Sequence, residues 1–370
     1  MDFSFTPEQD MLRESLARYL ARHYTLDERR RIIAAQPGYS KAVWNQFAEL
    51  GLLHLPLPEA LGGLGGNPVD LVAVAELLGR HAVVEPWLAS SVICAPVIAR
   101  YAPDRLPGLL DGSATCAFAY EEGHGTADPA DIAMRAEPRG EGGFVLDGEK
   151  RLVLGADTAS TLLVAARLPD GKLGLFLIER TAPGQSLTSY TTIDGRRGAT
   201  VRFDNVVVDP AALLDADAAA TITALVQTAH LLLSAEAVGA MEALLELAAT
   251  HAATRSQFGK PIAAFQAIAH RLADMKLAYV KARSLLLQTA ALAEAGLASP
   301  RDTAMLKAQA GRLGRQLGES AVQVHGGLGM TDELAVGHLL KRVLFVDLAF
   351  GAGDHHFRII GRPAADAMPA

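Results

Sequence analysis

Arg255-Ser256-Gln257-Phe258-Gly259-Lys260-Pro261-Ile262, followed by Phe265-Gln266 and His270-Arg271-Leu272-Ala273-Asp274-Met275, is the stretch on which the fold reading turns. Glycine and proline stop one helix and a second begins at once, which leaves Arg255, Gln257 and Phe258 at a helix junction. A fork of donors beside an aromatic face suits an anionic, planar ligand. Further on stands Gln323-Val324-His325-Gly326-Gly327-Leu328-Gly329-Met330, where the glycines admit a backbone to a ligand without side-chain interference. Taken alone, each segment is a helix-breaking corner with incidental charge.

Long helical patterns surround these corners. One runs from about Thr221 to Thr254, another from about Ala264 to Ala295, and a third from Pro300 to about Val324. A last one covers Asp332 to Phe350. Their alanine- and leucine-rich composition fits a tightly packed bundle.

Upstream, from Thr115 to about Leu213, the texture is that of strands. Gly143 to Leu154 places two apolar runs around Asp147-Gly148, the signature of a hairpin. Thr161 to Ala166 and Leu173 to Ile178 flank the turn Pro169-Asp170-Gly171, and Val201 to Val208 alternates before Pro210. Short strands with turn signals between them predict a small barrel or sandwich. From Thr6 to about Asp111 the pattern is helical again. Thr6-Pro7-Glu8-Gln9 forms a capping box with proline at the first helical position, and Leu12, Leu16, Tyr19 and Leu20 recur at helix spacing. Val43 to Leu50 and Val69 to Leu78 are further helices, separated by the glycine-rich loop Leu61 to Pro68.

The 370 residues predict two or three packed units, and 50% hydrophobic against 20% charged residues predicts a large core. Lys+Arg 34 against Asp+Glu 41 gives −7, which disfavours nucleic acid as the main partner. Cys94 and Cys116 are too few for a disulfide framework or a four-ligand zinc site. No H-E-x-x-H or Cys/His spacing points to a metal, the adjacent His355 and His356 diverge on any regular element, and Gly-x-Ser-x-Gly is absent. The glycines between Leu61 and Gly66 lack the G-x-G-x-x-G order. The start of the sequence lacks a signal-peptide layout and no apolar run reaches 18 residues, so the expectation is a soluble cytoplasmic protein without a membrane partner.

In this order, with an α–β–α texture around them, the two corners resemble the acyl-CoA dehydrogenase family over essentially the whole chain. Its R-x-Q-F-G-x-P-I, F-Q with H-x-L-A-D-M, and Q-x-x-G-G-x-G motifs match Arg255 to Ile262, Phe265 to Met275, and Gln323 to Gly329. The resemblance implies an α+β fold: a helical N-terminal domain (1–114), a middle β-barrel (115–213) and a C-terminal four-helix bundle (214–370). It also implies FAD as cofactor and an acyl-CoA thioester as substrate. A glutamate takes the α-proton while hydride leaves the β-carbon for flavin N5. An electron-transfer flavoprotein is then the electron acceptor. The cofactor-binding residues it implies are Arg255, Gln257, Phe258, Gln323, Gly326 and Gly327, reaching across a dimer interface to a neighbour's FAD.

The same resemblance exposes departures. Phe350 occupies the place of the family's usual glutamate, and the alternative place, on the helix before R-x-Q-F-G, holds Ala229 followed by His230. Glu236 lies seven residues beyond Ala229, about 10 Å further along a helix. Asp347 and Asp354 bracket Phe350. The family's flavin loop T-E-P-x-A-G-S-D becomes Tyr120 to Ala127, and Leu154 and Leu152 stand where a threonine and an aromatic residue normally meet the flavin. Base and flavin contacts are lost together, as in the subunit without a base of bacterial α2β2 heterotetramers that handle bulky acyl groups such as steroid side chains. The expectation is therefore a non-catalytic subunit that helps bind a homologous partner's FAD. Two alternatives stand beside it: a homo-oligomeric dehydrogenase using Asp354 or Glu236 as base, and a structural scaffold without cofactor.

Overall fold

The computed structural model describes residues 6–123, 127–140 and 142–366. In chain order the helices before the sheet are α1 (Pro7–His23), α2 (Leu26–Ala34), α3 (Lys41–Glu49), α4 (Pro68–Arg80), α5 (Ala95–Tyr101) and α6 (Leu106–Leu110). The strands follow: β1 (Cys116–Ala119), β2 (Arg135–Arg139), β3 (Gly143–Leu154), β4 (Thr161–Arg167), β5 (Leu173–Glu179), β6 (Gln185–Thr191), β7 (Arg197–Val208) and β8 (Leu213–Asp215). Then come α7 (Ala219–Thr254), the two-residue strands β9 (Ser256–Gln257) and β10 (Lys260–Pro261), α8 (Gln266–Glu294), α9 (Pro300–His325), α10 (Ala335–Leu348) and α11 (Gly353–Asp366). No helix among the described residues is long and apolar enough to cross a membrane.

The chain divides into two compact units. One consists of the described residues of Met1–Arg31, Asn67–Val83 and His230–Ala370, the other of Ile32–Gly66 and Val84–Ala229. In the first, capping boxes start three helices: Thr6 with Gln9 on α1, Asn67 with Asp70 on α4, and Ser299 with Asp302 on α9. Helices α4 and α7 touch backbone to backbone, because Gly79 lies against the carbonyl of Glu236 and Gly239 against that of Glu76. A Cβ at either glycine would push the helices apart, so both are fixed by packing.

The second unit is built on an eight-stranded sheet in the order β6-β7-β3-β2-β4-β5-β8, with β1 pairing β4 in parallel. Its core gathers Leu146, Val153, Leu162, Val164, Phe176, Val201 and Phe203 from the inward positions of four strands. The turn at Pro169-Asp170-Gly171 joins β4 and β5 as expected. The Asp147-Gly148 expectation is corrected: β3 does not turn there but continues to Leu154. Strand β7 is long enough to pair with both halves, from Phe144↔Val208 to Leu154↔Gly198. Gly148 instead marks an irregularity in the ladder (φ +147), and a Cβ there would lie 2.8 Å from Met134 Cγ. Two further expectations change at the chain's end. Helix α10 runs Ala335–Leu348 rather than Asp332 to Phe350, and α11 follows it from Gly353.

Candidate functional site

Two corners of the first unit carry the six residues marked by the sequence. Helix α7 stops at Thr254, and β9 and β10 then pair antiparallel, Gln257 opposite Lys260. The two residues between them, Phe258 (φ +53) and Gly259 (φ +79), both lie in the left-handed region, as a type I′ turn requires. Asparagine or glycine is the usual first residue of such a turn; a phenylalanine there is strained. Yet its ring is 91% exposed, meeting Phe265 edge-on at 6.1 Å. Arg255 and Gln257 are exposed beside it, and Arg255 makes no ion pair with any described residue.

The second corner closes α9. Gly326 (φ +65) and Gly327 are exposed, and a Cβ built on either would meet nothing within 4 Å. At Gly327 the chain's own packing therefore gives no reason for glycine; close approach of something outside the chain does. Gln323 is exposed one turn earlier. The corners meet where His251, in the last turn of α7, stacks on His325, at the end of α9, with ring centroids 4.5 Å apart and planes 27° apart. His325 Nδ1 donates to the Ala321 carbonyl at 2.8 Å. Donors, an aromatic ring and glycines thus share one exposed edge, and this set fits the anionic and planar parts of a dinucleotide.

The turn at Phe350 has a different character. Ala349 ends α10 in extended conformation and Phe350 turns left-handed (φ +54), followed by Gly351 (φ +97). His230 Nε2 donates to the Phe350 carbonyl at 2.8 Å; His356 Nε2 (3.0 Å) and Lys307 Nζ (3.3 Å) donate to that of Gly351. All three side chains are buried. The two imidazoles meet edge to face at 4.7 Å, and neither Nδ1 has a hydrogen-bond partner among the described residues. Burial, then the Lys307 charge, pushes His230 down to about 3; burial, then His230, pushes His356 down to about 2. Both are neutral at physiological pH, and an imidazole this acidic is a poor proton acceptor. His355, expected to diverge from His356, is buried with it, ring centroids 5.2 Å apart. No described group of three or more His, Cys, Asp and Glu side chains could hold a metal.

The candidate acids lie elsewhere. Glu236 is buried and accepts from Arg342 Nη1 at 3.0 Å, while Arg342 Nη2 donates to the Val83 carbonyl at 2.7 Å. Its carboxylate balances a buried guanidinium, so its withdrawal would leave that charge uncompensated. Asp347 pairs with Arg315 at 2.9 Å. Asp354 opens α11 exposed to water, away from any apolar site that would tune it as a base.

In the second unit the side chains around Tyr120, Glu122 and Leu152 are engaged within the chain. Glu122 accepts from the Ala133 (2.6 Å) and Met134 (3.1 Å) amides and from Lys150 Nζ (2.6 Å). Lys150 is fully buried, pushed down to about 8 by burial against the opposing pull of Glu122. Tyr120 donates its hydroxyl to the Ala127 carbonyl at 2.6 Å and stacks on Phe118. Leu152 (φ +50) directs its amide to the Tyr190 hydroxyl at 3.2 Å. Leu154 lines a cavity of about 30 Å³ with Tyr39, Glu85 and Gly155, room for about two waters. His124, Gly125 and Thr126 lie outside the described residues. Among the described residues, then, those at the flavin-pocket positions do not fit an isoalloxazine, whereas the exposed edge of the first unit fits a nucleotide.

Sequence reasoning brought the two corners out but missed what joins and surrounds them. His251, His230, Lys307 and His356 carried no motif. Their signal was position: His230 follows Ala229, and His251 stands one turn before Arg255.

Three family models match the chain: the acyl-CoA dehydrogenase N-terminal domain over residues 6–106, the middle domain over 116–206 and the C-terminal domain over 219–365. The probable acyl-CoA dehydrogenase YngJ of Bacillus subtilis is 27% identical, over 98% of this chain and 99% of that protein. The ChsE4-ChsE5 complex from Mycobacterium tuberculosis contains a chain that superposes with TM-score 0.90 at 26% identity, all of both chains being covered. The FAD complex of PigA superposes with TM-score 0.89 at 26% identity, over 99% of each chain.

Proposed function

Because the chain belongs to the acyl-CoA dehydrogenase family, whose cofactor is FAD, we propose that it is the subunit without a base in a heteromeric acyl-CoA dehydrogenase. A homologous sibling supplies the glutamate, in an α2β2 assembly. The observation that carries this reading is the hydrogen bond from His230 to the Phe350 carbonyl. It brings together the two places where the family keeps its base, and neither Phe350 nor Ala229 can accept a proton. Heteromeric assembly is supported by the likeness to a chain of the ChsE4-ChsE5 complex.

Bound FAD supplies a two-electron acceptor for the dehydrogenation of the acyl-CoA at its α and β carbons. This chain's contribution is binding. Arg255 and Gln257 would hold the anionic part of the partner's cofactor, Phe258 would cover a planar part, and Gln323, Gly326 and Gly327 would admit the nucleotide close to the backbone. The arrangement keeps three domains, 1–114, 115–213 and 214–370, in a soluble, cytoplasmic enzyme that passes electrons to an electron-transfer flavoprotein. Loss of one centre per pair leaves room for a bulky acyl group such as a steroid side chain.

Co-purification with the glutamate-bearing sibling tests the reading. One FAD per two chains is the expected content. One FAD in every chain would return this protein to the ordinary, self-sufficient members of the family.

A further inference from the structure

We infer that His251, stacked on His325, is a proton-linked part of the anion site at the 255–258 and 323–327 corners, taking up one proton when a dinucleotide's pyrophosphate binds there. This rests on the reading of those corners as a cofactor edge.

The pair is built rather than incidental. One ring comes from the last turn of α7, the other from the end of α9, and they stack at 4.5 Å between the two corners. His325 is only 9% exposed and is oriented by its bond to Ala321. The charged or titratable groups that bear on His251 are His325 from α9 and Arg255 on its own chain segment, and no described carboxylate does so. Burial first, then these two neighbours, pushes His251 below the usual imidazole range. Three groups able to carry positive charge therefore converge without an acid among them. That is an electrostatic imbalance which an incoming anion relieves.

The direction of linkage follows. A bound pyrophosphate favours the charged imidazole, so the proton affinity of His251 is higher in the complex than in the free site. Binding then takes up a proton and tightens as pH falls. The backbone of the site stays open to the ligand, since neither Gly326 nor Gly327 has an atom within 4 Å of its Cβ position.

The test uses the co-purified complex stripped of flavin and titrated with FAD, whose pyrophosphate diester keeps its charge between pH 8 and pH 6. Affinity is followed by flavin fluorescence anisotropy, and proton uptake by calorimetry in two buffers of different ionisation enthalpy. The expected result is binding about five- to tenfold tighter at pH 6 than at pH 8, with net proton uptake. His251→Phe, which keeps an aromatic stack without a titratable nitrogen, should still bind FAD but change less than about twofold over the same range. A flat pH dependence in the unaltered complex, or an equal dependence in His251→Phe, overturns the inference. If either occurs while Arg255→Ala still weakens FAD binding, the cofactor edge stands and only the proton link is lost. If Arg255→Ala has no effect, or no FAD binds, the edge itself falls and the inference with it.

Discussion

The carbonyl of Phe350 accepts a hydrogen bond from His230 Nε2 at 2.8 Å, at a point where the chain turns left-handed. The end of α4 repeats the device: the carbonyl of Ala82 (φ +49) accepts from buried Arg29 at 2.7 Å, and that of Val83 from buried Arg342. In each case strained backbone at a helix C-terminus is held by a buried donor side chain from a distant helix. In this protein the Phe350 turn is one of these structural corners.

That corner makes folding sensitive to acid. His230 and His356 titrate near 6.5 when unfolded, but about 3 and 2 when folded. Below pH 6.5 the unfolded chain therefore binds protons that the folded chain refuses, and stability falls as pH falls. Each histidine should lose on the order of 2 kcal/mol between pH 6.5 and pH 5. Denaturant titrations at the two pH values check this. His230→Gln, whose side-chain amide can keep the bond to Phe350, should remove about half of the loss; an unchanged loss would assign the acid sensitivity to other groups.

Glu236 should behave as a structural anion. Arg342→Met leaves its carboxylate buried without its guanidinium, and should destabilise the chain by about 3–5 kcal/mol. Adding Glu236→Gln should restore part of that. Urea unfolding of the two variants measures both steps, and additive losses would mean the ion pair is not the unit described.

Phe258 should trade stability for binding. Phe258→Asn puts a residue suited to left-handed backbone into the turn and should stabilise the isolated chain by about 1 kcal/mol. The same change removes the exposed ring, and FAD should dissociate faster from the complex with the sibling. Thermal unfolding and flavin release read the two effects; faster release without added stability would argue against strain at this turn.

Arg255→Ala removes the guanidinium that has no described ion pair, and should weaken FAD retention by the complex about tenfold. Dialysis followed by flavin absorbance checks it. Retention equal to that of the unaltered complex would take Arg255 out of the site.

Phe350→Glu should not create a dehydrogenase. The new carboxylate would enter a corner whose carbonyls are held by His230, His356 and Lys307, while Leu152 and Leu154 still offer the flavin no side-chain donor. Acyl-CoA turnover by this variant alone should remain at background, and rapid turnover would mean a working flavin pocket.

The two corners and the capped start of α1 were legible in the sequence because each is a local event: a glycine, a proline, or a hydroxyl three residues ahead of its partner. What was not legible depends on distant partners. Asp147-Gly148 reads as a hairpin until β7 is seen to pair along both sides of it. The stack of His251 on His325 joins the ends of two helices, and spacing within either one carries no trace of it. Phe350 could be set against a glutamate by counting, but the buried donors to its carbonyl and to that of Gly351 come from α7, α9 and α11, and α11 itself was hidden behind Gly351 and Gly353.

The most direct test is to purify this chain without its sibling, saturate it with FAD, and assay it with an acyl-CoA that the complex oxidises. The account predicts weak flavin retention and no turnover above background. A stably yellow protein that forms the enoyl product at the rate of the complex would contradict it.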